Sequence, residues 1–447
     1  MFKNISDIFF TTILGKLFGF IKIVLLIQLY GTSSITDALI VVVSIYWFWS
    51  KIIVYSLFSI SLIPELSKSN KEEQQIKLVV DTIKSVNLVS FIAFFLFFCL
   101  GNYIIYIFAP IQDEDFIKQS NTLLCLLSPL LFLIPTTEIF TILNQYKNKM
   151  RIASVNLTVW NILQIAGVIL SFYVFESTNT LVYLFAITSV IGYFITSLIQ
   201  INSTNFFKYF SISSLFGFSL LKTIKIIRQN IVFFTATLLT QLNLYIDNFF
   251  VSQLDSGSIS KYNIIIKVPE LAQSVLISSL SVVFFNLIVK DENRIDEIFK
   301  KFSINLVPLI FLGLVLAFFF GVGFLNLIYG NQAFAGTSDQ TIRMILIVII
   351  VNIFFMIGVS LLVKIFVSLK KTKVLLIASI INVCVNVIAN YYLIEEFHIY
   401  GVSLATLIAT YILFSILISI NFKFKMHKNI LLIIGLLIII CLIKIQL

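Results

Sequence analysis

Twelve apolar runs, each long enough to cross a bilayer, follow one another at 8–30, 36–63, 79–109, 117–143, 152–175, 180–201, 226–252, 259–288, 303–329, 341–369, 374–394 and 399–421. A hydrocarbon core of about 30 Å takes ~20 helical residues to span. Only helices and closed barrels satisfy the backbone there, and these runs are too long for barrel strands. The chain therefore reads as an all-α polytopic membrane protein. Composition agrees: 59% of residues are hydrophobic, 12% are charged and mean hydropathy is +1.05, where a soluble domain has about 25% charged residues. A thirteenth run, 429–446, is shorter and almost wholly aliphatic. The first run does not read as a cleavable signal, because it is long, carries two lysines and lacks a small-x-small site.

Charge sets the orientation. The connections SKSNKEEQQIK, NQYKNKMR, 202–228, KDENRIDEIFKK, KKTK and FKFKMHK, with Lys3, hold 21 of the 31 Lys and Arg residues. The alternate connections, such as GTSSIT, ESTN, QLDSGSIS and EEFH, are neutral or acidic. The positive-inside rule then puts the N-terminus in the cytoplasm and fits twelve spans. The net charge of +10 is mostly this topogenic signal, so nucleic acid is a poor partner.

The connection at 202–225 is basic and amphipathic, and is expected to lie on the cytoplasmic face as an interfacial helix. It separates a six-helix lobe at 1–201 from another at 226–421, with 422–447 as an extra C-terminal hydrophobic segment. IASVNLTVWNI at 152–162 aligns with IASIINVCVNV at 377–387, an offset of 225. Ile35-Thr36-Asp37 matches Ile259-Ser260-Lys261 at nearly the same offset. Two lobes of parallel topology are expected, with a substrate site at their interface.

Four lysines interrupt this apolar pattern: Lys16 and Lys22 in the first run, Lys51 in the second and Lys267 in the eighth. Each costs about 2.5–3.5 kcal/mol at a helix centre. At about 1.5 Å per residue, Lys22 and Lys267 fall near mid-membrane, with Lys16 and Lys51 nearer the cytoplasm. Snorkelling explains the second pair more easily than the first. A wet cavity that receives an anion explains all four. Gly15 and Gly19 bracket Lys16 in a GxxxG spacing that serves close helix packing or a hinge.

Acidic and amide residues accompany the lysines. Asp37 opens the second run, as a cap or as counter-ion to a cavity lysine. Glu270 follows Lys267 by three residues and shares its face, as a fixed ion pair or a partner that exchanges. Asp247 and Asn248 sit in the seventh run, and Asn382, Asn386 and Asn390 fall on one face of the eleventh. A carboxylate with amide oxygens suits Na⁺, although interhelical hydrogen bonding is the commoner use of such asparagines. Trp47 and Trp49 could stack on sugars or pack at an interface. The sequence has no GxxxxGK[ST], no Ser/His/Asp set and no metal-ligand cluster. The expectation is a transporter, without ATP, driven by Na⁺, the membrane potential or the substrate's own gradient.

A family likeness rests on these residues. GKLFGFIKIVLLIQLYGTSSITDALIVVV and KIIVYSLFSISLIPEL resemble the opening of the MurJ/MviN lipid II flippases, within the MOP group of exporters. Lys16 and Lys22 stand where that family has two arginines in S-R-x-x-G-F-x-R, and Asp37-Ala38 and Pro64 keep its D-A and Pro. Ser50 and Lys51 replace its second arginine pair. GSIS, Tyr262, Lys267 and Glu270 follow its eighth-helix pattern, with lysine for arginine. The stretch 368–406 is similar to its eleventh and twelfth helices. The resemblance further implies a sodium site, found in part of the family, at Asp247, Asn382, Asn386 and Thr406, with Asn386 replacing the usual Asp. One carboxylate fewer predicts weak or absent sodium dependence.

The resemblance implies an alternating-access flippase. It would carry an undecaprenyl-pyrophosphate-linked saccharide to the outer leaflet, with Lys16, Lys22, Lys51 and Lys267 on the diphosphate and Asp37 and Glu270 as counter-ions. Partners would be that substrate, membrane lipid, and glycan polymerases or glycosyltransferases. The alternatives are an O-antigen, capsule or exopolysaccharide unit as cargo, a cation-coupled drug exporter, or a non-transporting scaffold of glycan synthesis.

Overall fold

The computed structural model describes residues 2–49, 58, 62, 65–66, 71–110, 113–147, 149–174, 178–290, 295–368 and 371–420. Lys51 and the segment 422–447 lie outside the described residues. Every regular element described is helical. Among the described residues seven helices are long and apolar enough to cross a membrane, or eight if one bent pair is a single span. Packing divides the chain into two units, Met1–Gln241 and Leu242–Leu447.

The first unit contains α1 (Phe2–Tyr30), α2 (Ser34–Trp49), α3 (Glu72–Phe108), α4 (Glu114–Leu126), α5 (Leu130–Tyr146), α6 (Asn156–Tyr173) and α7 (Thr178–Asn202), with a single turn at Met150–Ala153. At about 1.5 Å per residue the 37-residue α3 is longer than the bilayer core, so its charged first turns emerge from it. The run expected at 117–143 is broken instead: α4 and α5 meet at 51° around Ser128 and Pro129. Proline lacks the N–H that would continue the ladder, which explains the break.

α6 packs on both α7 and α1. Glycines permit the close approach. A Cβ on Gly15 would meet the Leu157 Cβ at 2.9 Å, and one on Gly19 would meet the Asn161 Nδ2 at 3.1 Å. The GxxxG pair thus packs α1 on α6, as small residues do where lipid gives helices no hydrophobic drive to associate. Gly15→Val should push these helices apart and destabilise the unit by roughly 1–3 kcal/mol. Thermal unfolding of the purified protein in detergent reads this directly, and an unchanged midpoint would contradict it.

The connection after α7 is not the single interfacial helix expected. It forms two 3₁₀ turns, Phe206–Lys208 and Ile212–Leu215, separated from the next helix by Gly217 at φ +121°. Asn205 is left-handed at φ 59°, a conformation that short polar side chains tolerate and that a continuous helix does not. Phe206 is fully buried against Phe140, and the Asn87 Nδ2 donates to the Leu215 carbonyl at 2.9 Å. Tertiary anchors on α3 and α5 therefore override the amphipathic periodicity. α8 (Leu220–Val251) follows, and the boundary between the units falls inside it.

The second unit contains the end of α8, then α9 (Ser258–Lys290), α10 (Ile295–Tyr329), α11 (Asp339–Ser368) and α12 (Thr372–Ile420). α11 packs against α9, α10 and α12. His398, at φ 49° and ψ −131°, breaks α12 into two stretches that correspond to the runs expected at 374–394 and 399–421. A carboxylate common to both stretches shows that the chain doubles back there.

Candidate functional site

In the first unit α1 brings Lys22 against α6. The Lys22 Nζ donates to the Asn161 Oδ1 at 3.1 Å and to the Gln164 Oε1 at 2.8 Å. The same ammonium lies 5.0 Å from the centroid of the Trp160 ring and 5.9 Å from that of Phe185, within cation–π range. Both amides are themselves anchored. The Asn161 Nδ2 donates to the Gly15 carbonyl at 3.0 Å, and the Gln164 Nε2 donates to the Ser189 Oγ at 2.7 Å. Asn161, Gln164 and Trp160 occupy consecutive turns of α6, so a single helix face aims the ammonium. Amide oxygens orient a cation without cancelling its charge.

Lys16 is half-buried on the same helix, and Asp37 is fully buried in the first turn of α2. Trp47 packs edge-on against Trp160 at 5.5 Å between centroids, and Trp49 packs against Phe97 at 6.5 Å. The two tryptophans thus serve internal packing. A small cavity beside Trp160 is lined by Tyr46, Trp47, Ile134, Ser189 and Tyr193 among others, with room for about one water molecule.

In the second unit the Lys267 Nζ donates to the Glu270 Oε2 at 2.8 Å, with both side chains about a third exposed. Asp247 is buried at 3% exposure. The Asn386 and Asn390 Nδ2 atoms each donate to its Oδ1 at 3.3 Å, and the Thr406 hydroxyl donates to its Oδ2 at 2.7 Å. Tyr262 also reaches it through its hydroxyl. Asn386 and Thr406 are 20 positions apart, ~30 Å along a straight helix, which is why α12 must fold back at His398.

The chemistry of this donor set decides whether it suits Na⁺. Asn382 Oδ1 and Asn390 Oδ1 are buried without a hydrogen-bond partner, as cation ligands would be. The carboxylate, however, faces amide nitrogens and hydroxyls, and the Asn386 Oδ1 accepts from the Asn390 Nδ2 at 2.6 Å. The cluster is closed by its own hydrogen bonds around one carboxylate. As arranged it does not fit a bound cation.

The internal repeat joins the two descriptions. Its offset of 225 carries Asn161 onto Asn386. Equivalent positions therefore pair an amide with an ammonium in the first unit and with a carboxylate in the second. Sequence reasoning found the aligned segments but missed Asn161, Gln164, Ser189 and Trp160 as partners of Lys22. The unexploited signal was the repeat itself.

Among the described residues no group of three or more His, Cys, Asp or Glu could hold a metal ion. Long apolar helices with ordered intramembrane charge define a multi-pass membrane protein. The family profile described as lipid II flippase MurJ matches residues 26–446, and the chain belongs to that family. A probable lipid II flippase MurJ from Buchnera aphidicola subsp. Schizaphis graminum (strain Sg) is 26% identical over 292 residues. That match covers 63% of this chain and 55% of the relative, so it spans about half the relative's length. Another, from Buchnera aphidicola subsp. Acyrthosiphon pisum (strain APS), is 24% identical over 433 residues, covering 93% of this chain and 83% of the relative. A solved lipid II flippase MurJ in an inward closed conformation superposes with a TM-score of 0.77 at 21% identity, covering 100% and 98% of the two chains. An inward-facing multidrug transporter of the MATE family and MOP superfamily gives 0.67 at 11% identity, covering 96% of each. At these identities the two structures establish the fold alone.

Proposed function

We propose that the protein is a flippase for a lipid II-type saccharide, carried on undecaprenyl diphosphate from the cytoplasmic to the outer leaflet of a bacterial inner membrane by alternating access. The observation that carries this reading is the Lys22 ammonium, aimed by two neutral amide oxygens inside a membrane-embedded unit of a MurJ-family chain. Lys22 on the first unit and Lys267 on the second each offer a positive charge to the diphosphate, and Lys16 and Lys51 extend the set. Glu270 holds Lys267 while the site is empty and yields it to substrate. Lysines act here as point charges without the bidentate fork of arginine, so head-group position is set by the amides as much as by the cations.

Proteoliposomes test the reading. The purified chain should move a fluorescent undecaprenyl-diphosphate disaccharide across the bilayer and leave a phosphate-free polyprenyl glycoside behind. Equal movement of both lipids would refute anion recognition.

Orientation is testable separately. Cysteines introduced at 31–34 and 255–258 should be labelled from outside the cell membrane, and those at 147–149 and 370–373 only from the cytoplasm, with the N-terminus inside. This follows from the alternating Lys/Arg distribution. Inverted labelling of the second-half positions alone would contradict the parallel repeat.

A further inference from the structure

Ser189 touches the anion site only through Gln164, yet its own bonding fixes which way that amide points. It lies on α7 one turn after Phe185 and is fully buried, as is Gln164 on α6. The Ser189 hydroxyl donates to the Phe185 carbonyl at 2.6 Å. Serines inside helices commonly make that bond to the preceding turn. Here it has a chemical consequence. A hydroxyl has one proton, so the Ser189 oxygen meets Gln164 as an acceptor. The Gln164 amide must then present its Nε2 to Ser189, at 2.7 Å, and its Oε1 to the Lys22 ammonium, at 2.8 Å. A half-turn of the amide would set N–H groups against the ammonium and oxygen against oxygen. Burial of both side chains leaves solvent no way to replace the lost bonds.

Helix packing holds this contact in register. A Cβ on Gly167 would lie 3.0 Å from the Leu184 carbonyl oxygen, and one on Gly192 would lie 3.2 Å from the Trp160 Cα. Gly167 is one turn beyond Gln164 on α6, and Gly192 is one turn beyond Ser189 on α7. The two helices therefore run antiparallel, with a close backbone approach on each side of the Gln164–Ser189 bond. The same turn of α7 carries the Phe185 ring, 5.9 Å from the Lys22 ammonium. Orientation of the amide and placement of the cation thus come from one rigid pair of helices.

We propose that Ser189 is a positioning residue of the anion site, acting through Gln164 to keep a neutral acceptor on the Lys22 ammonium. The charge is then aimed without being cancelled when a diphosphate arrives. Without the Ser189 oxygen, the Gln164 Nε2 loses its partner and the amide loses its preference for one orientation. The ammonium in turn loses one of the acceptors that aim it. The inference rests on the diphosphate reading of Lys22.

The test measures binding of undecaprenyl diphosphate to the full chain in lipid nanodiscs. Ser189→Ala should weaken binding roughly five- to tenfold, the worth of one neutral hydrogen bond. Ser189→Thr keeps the hydroxyl and should bind within about twofold of wild type. Ser189→Cys, similar in size with a weak sulfur acceptor, stands in if the alanine variant fails to fold. In a Lys22→Ala background the Ser189→Ala change should cost nothing further, because residues that act through one another are non-additive. A residue that only supports helix packing would cost the same in both backgrounds. Wild-type affinity in Ser189→Ala, a folded Ser189→Thr as weak as Ser189→Ala, or an equal loss in both backgrounds overturns the proposal. Lys22→Ala separates the two readings. Its loss of binding alongside any of those results overturns the positioning role alone, whereas its normal binding overturns the diphosphate site itself and the part of Ser189 in it.

Discussion

Lys22→Ala is expected to slow translocation of a diphosphate-linked lipid by roughly 100-fold or more while the protein still inserts and accumulates. A hydrogen bond to a charged group contributes about 1.5–3 kcal/mol, and leaving a substrate charge unpaired in an enclosed site adds to that loss. About 3 kcal/mol is already ~100-fold in rate. Insertion should not suffer, because the substitution removes a group that costs about 2.5–3.5 kcal/mol at mid-membrane. The amides also keep their other anchors: Asn161 still donates to the Gly15 carbonyl and Gln164 to Ser189. Lys22→Arg should retain most activity, since it keeps the charge and two donors to share between amides and phosphate. Flipping assays on matched protein amounts decide the point. Normal flipping by the alanine variant would show that this ammonium serves packing.

The second large effect concerns Asp247, and it separates stability from coupling. Replacing it with leucine should destabilise the second unit by about 3 kcal/mol or more, because buried donors on Asn386, Asn390 and Thr406 lose their common acceptor. Asp247→Asn keeps the shape and should cost about half as much. Neither a sodium gradient nor its removal should change the rate much in wild-type vesicles. The carboxylate already faces hydrogen-bond donors, and a hard cation held by one formal charge binds weakly. The membrane potential is then the expected drive, since each charge crossing the field is worth ~2.3 kcal/mol per 100 mV. A saturable sodium requirement at zero potential, lost in Asp247→Asn, would be the contrary result.

Legibility in the sequence followed how local each signal was. The helical membrane class rests on run length and composition, so it could be read directly, and the MurJ-family match agrees with it. The break at Ser128-Pro129 was equally local, but the continuous hydrophobicity on either side concealed it. The 202–225 connection misled because its periodicity is that of an amphipathic helix. Burial of Phe206 and the Asn87 bond to the Leu215 carbonyl are contacts that no window along the chain contains.

By itself, the sequence determined that this chain lies in a membrane as helices, where its lysines interrupt them, and which segments repeat. Each of these is a property of consecutive residues and of the solvent they can tolerate. Only the tertiary structure decided what the polar residues inside the helices do. Asn161, Gln164 and Asn386 share one local signature, a polar side chain in an apolar helix. Asn161 and Gln164 reach a lysine 139 and 142 positions away, and Asn386 reaches a carboxylate 139 positions away. Hydrogen bonds and charges act over a few ångströms of space, and helix packing sets those ångströms between residues far apart in the chain.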